Sequence, residues 1–305
     1  MIWRAVEGAA TTSRTSPAAI TIGTFDGVHR GHQALVERTR AAGPPVVAVT
    51  FEPHPVEVFA PDKAPQRLTT VERRVELLHV SGADEVRVLA FDREMAGWSP
   101  REFIDRVIVG ELQATTVVVG ENFTFGSKAA GNCDVLREVG AEVGFSVDEV
   151  GLLGGDPPWS STRVRTAIAA GDIRTAADIL SRPHEVEGVV VRGQQRGRQL
   201  GFPTANVPVD ERFAVPPDGV YATRVVRASG ERLPAATSVG TNPTFGEHDR
   251  RVEAYVLDRT DLDLYGERVR VEFVERLRGM VAFDGMEPLV EQMARDVEMT
   301  RTLLS

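Results

Sequence analysis

The sequence predicts an α/β protein of two domains: a parallel sheet with helices on both faces, then a closed antiparallel β-barrel with a C-terminal helix. Its 305 residues exceed one typical hydrophobic core. Up to about residue 180, short apolar runs alternate with helical patterns, which is typical of a buried parallel sheet. Beyond that point strands follow one another without helices, as in a barrel. We place the boundary near Arg182–Pro183, giving domains 1–182 and 183–305.

The first domain alternates strand and helix from residue 18 onward. One helical pattern places Val71, Val75 and Leu78 on one face. Another begins with a capping box over Ser99–Glu102, with proline at the first helical position. The apolar strand patterns are AAITIGTF, PPVVAVTF, DEVRVLAF and TTVVVGENF, and the helical ones include HQALVERTRAA, TVERRVELLHVSG and SPREFIDRVIVGEL.

The second domain consists mainly of strands separated by Gly, Pro and Asp turns. They are EVEGVVVRG, DGVYATRVV, PAATSVGT, RVEAYVLD and RVRVEFVERL. The chain closes with one amphipathic helix, whose predicted apolar face carries Leu289, Met293, Val297 and Leu304.

Composition and charge exclude several classes of protein. With 35 Lys and Arg against 44 Asp and Glu, the net charge is −9, which argues against nucleic-acid or anionic-membrane partners. The lone Cys133 excludes an internal disulfide and a cysteine-based zinc site. There is neither a signal-peptide pattern nor an apolar run long enough to span a bilayer. We therefore expect a cytoplasmic protein.

The stretch GTFDGVHRGH places His29 and His32 between the first strand and the first helix. Ligands of parallel sheets bind at this edge, where a helix start offers N–H groups and partial positive charge. Gly27 and Gly31 let the backbone approach a ligand, and two imidazoles can donate hydrogen bonds to phosphate. A metal pair and two core histidines are the alternatives; the glycine-rich turn favours phosphate.

The stretch PWSSTRVR places three hydroxyl residues, Ser160, Ser161 and Thr162, at a second helix start. Arg163 and Arg165 follow in its first turn, where the helix dipole disfavours cations. A bound anion would resolve that conflict, and arginine offers bidentate donors. Taken alone, the hydroxyl and arginine pattern is better explained by a plain N-cap with solvated arginines.

The stretch RGQQRGRQLGFPTANV predicts a flexible, positively charged loop that can fold over phosphates. Thr204 and Asn206 follow it in a frame stiffened by Pro203, and their oxygens suit Mg²⁺. A hairpin loop with solvated arginines remains the alternative. The loop interleaves Gly193, Gly197 and Gly201 with Arg192, Arg196 and Arg198.

These motifs together resemble the prokaryotic bifunctional riboflavin kinase/FMN adenylyltransferase family. HRGH followed by SSTRVR resembles the HxGH/SSTxxR nucleotidyltransferases, and GTFDGVHRGH, TFEPHP and VGENFTFG narrow the likeness. PTAN, SVGTNPTFG and VEAYVLD resemble the kinase module, a six-stranded barrel after a Rossmann-like nucleotidyltransferase domain. The resemblance implies ATP, riboflavin, FMN and FAD as partners, with FMN made first and then adenylylated. The sequence leaves the oligomeric state between a monomer and weak self-association.

For adenylyl transfer, the resemblance implies that His29 and His32 stabilise the transferring phosphoryl group. Ser161 and Thr162 would line the phosphate site, and Arg165 would hold the β/γ end of ATP. His54 belongs to a motif that more often reads FDPHP, and Glu52 replaces its aspartate. The nucleotide pocket would include Gly23, Phe25, Gly31, Asn122 and Phe123.

For riboflavin phosphorylation, the resemblance implies that Thr204 and Asn206 coordinate Mg²⁺ with ATP. Glu253 would act as general base for the 5′-hydroxyl, a role compatible with phosphoryl-transfer chemistry. Strand alternation alone leaves Glu253 as an ordinary solvent-facing residue. The ATP-phosphate loop would include Gly193, Arg198 and Gly201.

Two other functions compete with this one. An adenylyltransferase for another phosphorylated substrate, such as phosphopantetheine, would use the barrel only for specificity. A flavin-binding regulator would have lost the chemistry. The PTAN stretch with Glu253 argues against the first, and the intact set of site residues argues against the second.

Overall fold

The computed structural model describes residues 3–192, 202–241, 250–259 and 261–305. It divides into two compact units. The first comprises Met1–Pro65 and Thr70–Ser160, and the second comprises Gln66–Thr69 and Ser161–Ser305. The boundary at residue 182 stays a prediction.

The first unit is built on a parallel five-stranded sheet with strand order β3-β2-β1-β4-β5. The order reverses at β1, so the loops after β1 and β4 leave neighbouring strands at one edge, where ligands of such sheets bind. The strands are β1 Ala18–Ile22, β2 Val46–Glu52, β3 Glu85–Ala90, β4 Ala114–Gly120 and β5 Ser146–Val150.

Helices cover both faces of this sheet, as the sequence predicts. Alternate residues of β2 belong to two separate cores: Val47 and Val49 to one, Val46 and Ala48 to the other. The helices are α1 Arg30–Ala42, α2 Pro55–Phe59, α3 Val71–Val80, α4 Arg93–Ala96, α5 Pro100–Phe103 and α6 Cys133–Val143.

The predicted capping box is confirmed at α5, where Ser99 and Glu102 bond reciprocally to each other's backbone. The predicted helix is not regular throughout, because a π-helical segment, Ile104–Glu111, follows α5. The helical face predicted for α3 is confirmed, since Val71, Val75 and Leu78 are all buried.

The second unit is built on an antiparallel six-stranded sheet with order β6-β11-β8-β9-β10-β7. Its edge strands meet: the Val191 backbone N–H donates to the Asn206 carbonyl (2.9 Å). At Gly188 a Cβ would lie 2.5 Å from Val207 Cγ1, so glycine permits this near-closure. The strands are β6 His184–Val189, β7 Ala205–Pro208, β8 Gly219–Val226, β9 Arg232–Thr241, β10 Arg250–Val256 and β11 Arg268–Arg278.

The second unit also contains α7 Ser161–Ala170, α8 Ile173–Leu180 and the C-terminal helix α9 Met286–Leu304. The predicted apolar face of α9 is only half-buried; the fully buried positions are Asp296 and Thr300. The Asp296 carboxylate accepts from Arg278 at 2.7–3.1 Å, so an ion pair attaches this helix to β11.

Candidate functional sites

The two histidines of HRGH stack on each other at the start of α1. Their ring centroids are 3.6 Å apart and their planes differ by 23°. His29 is the N-cap residue of α1 and is 5% exposed; its side chain makes no capping hydrogen bond. Both imidazoles therefore lie beside the first N–H groups of the helix, where the dipole attracts an anion.

The turn before α1 has an unusual backbone that presents these rings. Gly27 has φ +82°, as glycine allows, but Phe25 (φ +49°) and Val28 (φ +41°) also adopt left-handed conformations. Such a φ is a genuine outlier for a β-branched residue and costs about 1–3 kcal/mol. Both side chains are buried in the core, and that packing holds the strained turn in place.

Neighbouring residues support the histidine pair. Phe25 is fully buried and meets His32 edge-on, with ring centroids 5.1 Å apart. A Cβ at Gly31 would lie 3.1 Å from His29 Cε1, and one at Gly23 would lie 3.2 Å from the Phe25 ring. Both glycines thus leave room for a ring. Direct nucleotide contacts of Gly23, Phe25 and Gly31 stay predictions.

The GENFTFG motif follows β4, the strand beside β1, and so lies at the same sheet edge as the histidine loop. Asn122 is exposed there, while Phe123 stacks on the buried Phe125 with ring planes at 15°. The exposed Asn122 amide is accessible to a ligand. The pairing of β1 with β4 brings these two distant motifs to one edge.

Glu52 ends β2, His54 follows it, and both make contacts within the first unit. Glu52 is 7% exposed, with Oε2 4.0 Å from Nη2 of the buried Arg74. His54 caps α2 by accepting a hydrogen bond from the Val56 N–H (3.2 Å). These contacts stabilise the loop after β2. The glutamate that replaces the aspartate of the family motif thus has a structural contact, with Arg74.

The sequence analysis did not identify Trp159, which lies near the histidine motif. The Arg30 guanidinium lies 5.7 Å from the centroid of the Trp159 ring, and the Trp159 carbonyl would lie 3.8 Å from a Cβ at Gly31. Gly154 (φ +99°) accommodates that indole, because its Cβ would come within 2.4 Å of the ring. In the sequence, the one signal for these contacts is that Trp159 directly precedes the SSTRVR motif.

From Ser161 onward the SSTRVR motif belongs to the second unit, where α7 begins at Ser161 as predicted. Ser161 and Arg165 are half-buried and Thr162 is exposed. The Arg165 Nε–H donates to the Gln66 carbonyl (2.5 Å). Gln66 belongs to the short piece Gln66–Thr69 of the same unit.

In the barrel, β7 and β10 pair so that Asn206 lies directly opposite Glu253. Their neighbours Ala205, Val207 and Val252 belong to the barrel core, so Asn206 and Glu253 project from the other face of the sheet. The PTAN motif thus ends in a strand. Its Asn206 amide contacts Thr204, with Nδ2 3.4 Å from Oγ1.

Glu253 is half-buried, and burial raises the pKa of its carboxyl, an effect that the charge of Arg251 partly offsets. Ser238 lies opposite Glu253 on β9, so amide, carboxyl and hydroxyl form one polar row across three strands. Tyr255, two residues along β10, meets Phe202 edge-on with ring centroids 5.1 Å apart. The sequence analysis did not single out these residues: register identifies Ser238, and the ring contact identifies Tyr255 and Phe202.

Three predicted site residues, Gly193, Arg198 and Gly201, lie outside the described residues. Their role in phosphate binding stays a prediction. Within the described part of the chain, no helix is long and apolar enough to cross a membrane.

Residues 11–163 match the family model for FAD synthetase, and residues 180–304 match the model for riboflavin kinase. A bifunctional riboflavin kinase/FMN adenylyltransferase of Escherichia coli (strain K12) is 38% identical over 282 residues, covering 91% of this chain and 90% of the relative. The chain belongs to the bifunctional riboflavin kinase/FMN adenylyltransferase family. The family and fold class predicted from the sequence are confirmed.

Further relatives of this riboflavin kinase/FMN adenylyltransferase chain agree on its extent. The protein of that name from Pseudomonas fluorescens is 39% identical and covers 93% of this chain and 92% of its own length. A crystal structure from Streptococcus pneumoniae, described as a macrolide-efflux protein, superposes with a TM-score of 0.86. It is 31% identical and covers 97% of this chain and 98% of its own. The two-unit architecture therefore recurs over the full length of a solved relative.

Proposed function

We propose that this chain phosphorylates riboflavin with ATP to give FMN and ADP, and then adenylylates FMN with a second ATP to give FAD and pyrophosphate. The observation that carries the proposal is the register of β7 and β10, which places the PTAN asparagine beside the half-buried Glu253. A passive specificity barrel would need neither group. Family membership supports both activities in one chain.

In the kinase reaction, Glu253 accepts the proton of the riboflavin 5′-hydroxyl. The oxygen then attacks the γ-phosphorus of ATP, the bond to the β-phosphate oxygen breaks, and ADP leaves. Because burial raises the pKa of Glu253, its carboxylate is a stronger base than an exposed one. The raised pKa thus suits the proposed role.

The side chains of Thr204 and Asn206, at the start of β7, offer oxygen ligands that suit Mg²⁺. Thr204 supplies a hydroxyl and Asn206 an amide that lie together, neutral oxygen ligands of the kind Mg²⁺ accepts beside nucleotide phosphates. When bound, the ion would neutralise charge on the ATP phosphates. Thr204 and Asn206 hold it in this proposal, and Glu253 remains the proton acceptor.

In the adenylylation reaction, an FMN phosphate oxygen attacks the α-phosphorus of ATP. The bond between the α- and β-phosphates breaks and pyrophosphate leaves. His29 and His32 donate hydrogen bonds to the phosphoryl oxygens as charge develops. Ser161 and Thr162 line the phosphate site, and Arg165 holds the β/γ end of ATP. The cytoplasmic location, the lack of nucleic-acid partners and a monomeric or weakly associating state stay predictions.

A turnover assay with two variants tests the proposal. The unaltered protein with riboflavin, ATP and Mg²⁺ should yield FMN and then FAD by chromatography. His29→Ala should lose FAD formation and keep FMN formation. Glu253→Ala should lose FMN formation but still convert supplied FMN to FAD.

Three results would contradict the proposal. Absence of both flavin nucleotides with the unaltered protein favours a non-catalytic flavin-binding protein. Loss of both steps in either variant, with a normal thermal transition, would refute the assignment of two separate sites. Adenylylation of phosphopantetheine but not of FMN would favour the other adenylyltransferase.

A further inference from the structure

The short piece Gln66–Thr69 belongs to the second compact unit, although the chain on either side of it belongs to the first. Leu68 and Thr69 are each 3% exposed. Such a detour of four residues needs specific partners, because ordering each residue costs about 1–2 kcal/mol of backbone entropy.

The partners lie in the barrel-side loop Asp210–Ala214. The Arg67 N–H donates to the Arg212 carbonyl (2.7 Å), and the Ala214 N–H donates to the Arg67 carbonyl (2.9 Å). The Gln66 side-chain Nε2 donates to the Glu211 carbonyl (3.0 Å). Three hydrogen bonds thus fix two consecutive residues of the piece to this loop.

The loop itself is braced by Asp210. Its carboxylate accepts from the Arg212 backbone N–H (2.9 Å) and from the Arg212 Nε (2.9–3.0 Å). These bonds to Arg212 hold the pKa of Asp210 below its usual range. The Asp210 carboxylate therefore stabilises the loop conformation that receives Arg67.

The other side of the piece meets the SSTRVR helix. The Gln66 carbonyl accepts from Arg165 Nε at 2.5 Å. Because a guanidinium is a rigid planar group, holding its Nε–H restricts where its two Nη groups can lie. The carbonyl of Gln66 thereby determines how Arg165 presents its fork.

We propose that Gln66–Thr69 is a positioning element for Arg165, clamped by the loop Asp210–Ala214. The affinity of the adenylylation step for ATP then depends on residues that touch no nucleotide. Gln66 and Asp210 are positioning residues, and Arg165 is the group they act through. This inference rests on the proposed function, since it takes Arg165 to bind ATP during FAD formation.

The first test measures FAD formation from supplied FMN at varied ATP. Gln66→Ala and Asp210→Ala should each raise KM for ATP about fivefold, the worth of one hydrogen bond, with kcat nearly unchanged. Asp210→Asn should recover most of the affinity, because its amide oxygen can still accept from the Arg212 N–H. The kinase KM for ATP should stay unaltered in all three.

A matched control exists in the same unit. Asp261 accepts from Arg259 Nε and Nη2 in the same two-residue spacing, at another loop. Asp261→Ala removes an equivalent clamp and should leave the adenylylation KM for ATP unchanged. An equal rise in this control would show a general loosening of the unit and overturn the proposal.

A double-mutant cycle separates positioning from general stability. Arg165→Lys keeps the charge but lacks the guanidinium, so adding Gln66→Ala to it should not raise KM further. If FAD formation continues, either of two results would overturn this inference. One is an additive effect of Arg165→Lys and Gln66→Ala on KM; the other is an unchanged KM in both Gln66→Ala and Asp210→Ala. An unaltered chain that forms no FAD would instead refute the proposed function.

Discussion

Asn206 of β7 and Glu253 of β10 occupy directly opposed positions of one antiparallel ladder, on the face that points away from the barrel core. Opposed side chains have Cβ atoms about 4.5–5.5 Å apart. The amide and the carboxyl therefore lie side by side, as the proposed kinase site requires. This relationship makes several outcomes measurable.

The first prediction concerns the pH dependence of FMN formation. The base must be ionised, and burial raises the pKa of the Glu253 carboxyl. The kinase kcat should therefore fall on the acidic side at a higher pH than an exposed glutamate would give. Initial rates across a pH series with saturating ATP measure this limb. A rate that stays flat down to about pH 4 would show that Glu253 is not the base.

The second prediction concerns stability and has the opposite sign from a salt-bridged acid. The folded-state pKa of Glu253 lies above its unfolded value, so the folded protein loses stability as pH rises through that interval. Glu253→Gln should therefore raise the thermal midpoint at neutral pH. The gain should vanish below about pH 3, where the wild-type carboxyl is also neutral in both states. A variant less stable than wild type at neutral pH would contradict this.

The third prediction separates stability from activity at Gly31. Alanine improves helix propensity by up to about 1 kcal/mol, so Gly31→Ala should not destabilise α1. Its Cβ would approach His29 Cε1 to 3.1 Å and shift the imidazole. FAD formation should drop at least about tenfold while FMN formation continues. Glu37→Ala, at an exposed position of the same helix, serves as control and should leave FAD formation unchanged.

The fourth prediction concerns magnesium. Asn206→Ala should raise the Mg²⁺ concentration needed for half-maximal FMN formation about tenfold, because one oxygen ligand is lost. Asn132→Ala serves as control: that amide caps α6 in the first unit and should leave the Mg²⁺ requirement of the kinase unaltered. Chelation of the metal should stop FMN formation in wild type. An unchanged requirement in Asn206→Ala would remove it from the metal site.

The fifth prediction concerns the attachment of α9. Asp296→Ala leaves the Arg278 guanidinium without its buried carboxylate and should lower the free energy of unfolding by about 2–4 kcal/mol. Glu298→Ala breaks an exposed pair with Arg301 on the same helix and should cost less than about 0.5 kcal/mol. Chemical denaturation of both variants measures the difference. Equal losses would show that the buried pair does not attach the helix.

Local spacing carried much of the prediction. The alternation of apolar runs and helical patterns predicted the parallel sheet, and successive strands without helices predicted the barrel. The capping box at Ser99 and the helix starts at His29 and Ser161 were also readable, since capping involves residues three or four apart. The burial of Asp296 in α9 could not be predicted in this way, because its partner Arg278 lies on another element, β11.

By itself the sequence determined the folds of the two domains and the family, and it predicted which short motifs carry phosphate chemistry. Only the tertiary structure decided which distant groups meet: Asn206 with Glu253, the loop after β1 with the loop after β4, and Gln66 with Arg165. The physical reason is that residue spacing constrains the chain over a few residues. Strand register and loop docking depend instead on the packing of whole elements, and no local sequence pattern contains that information.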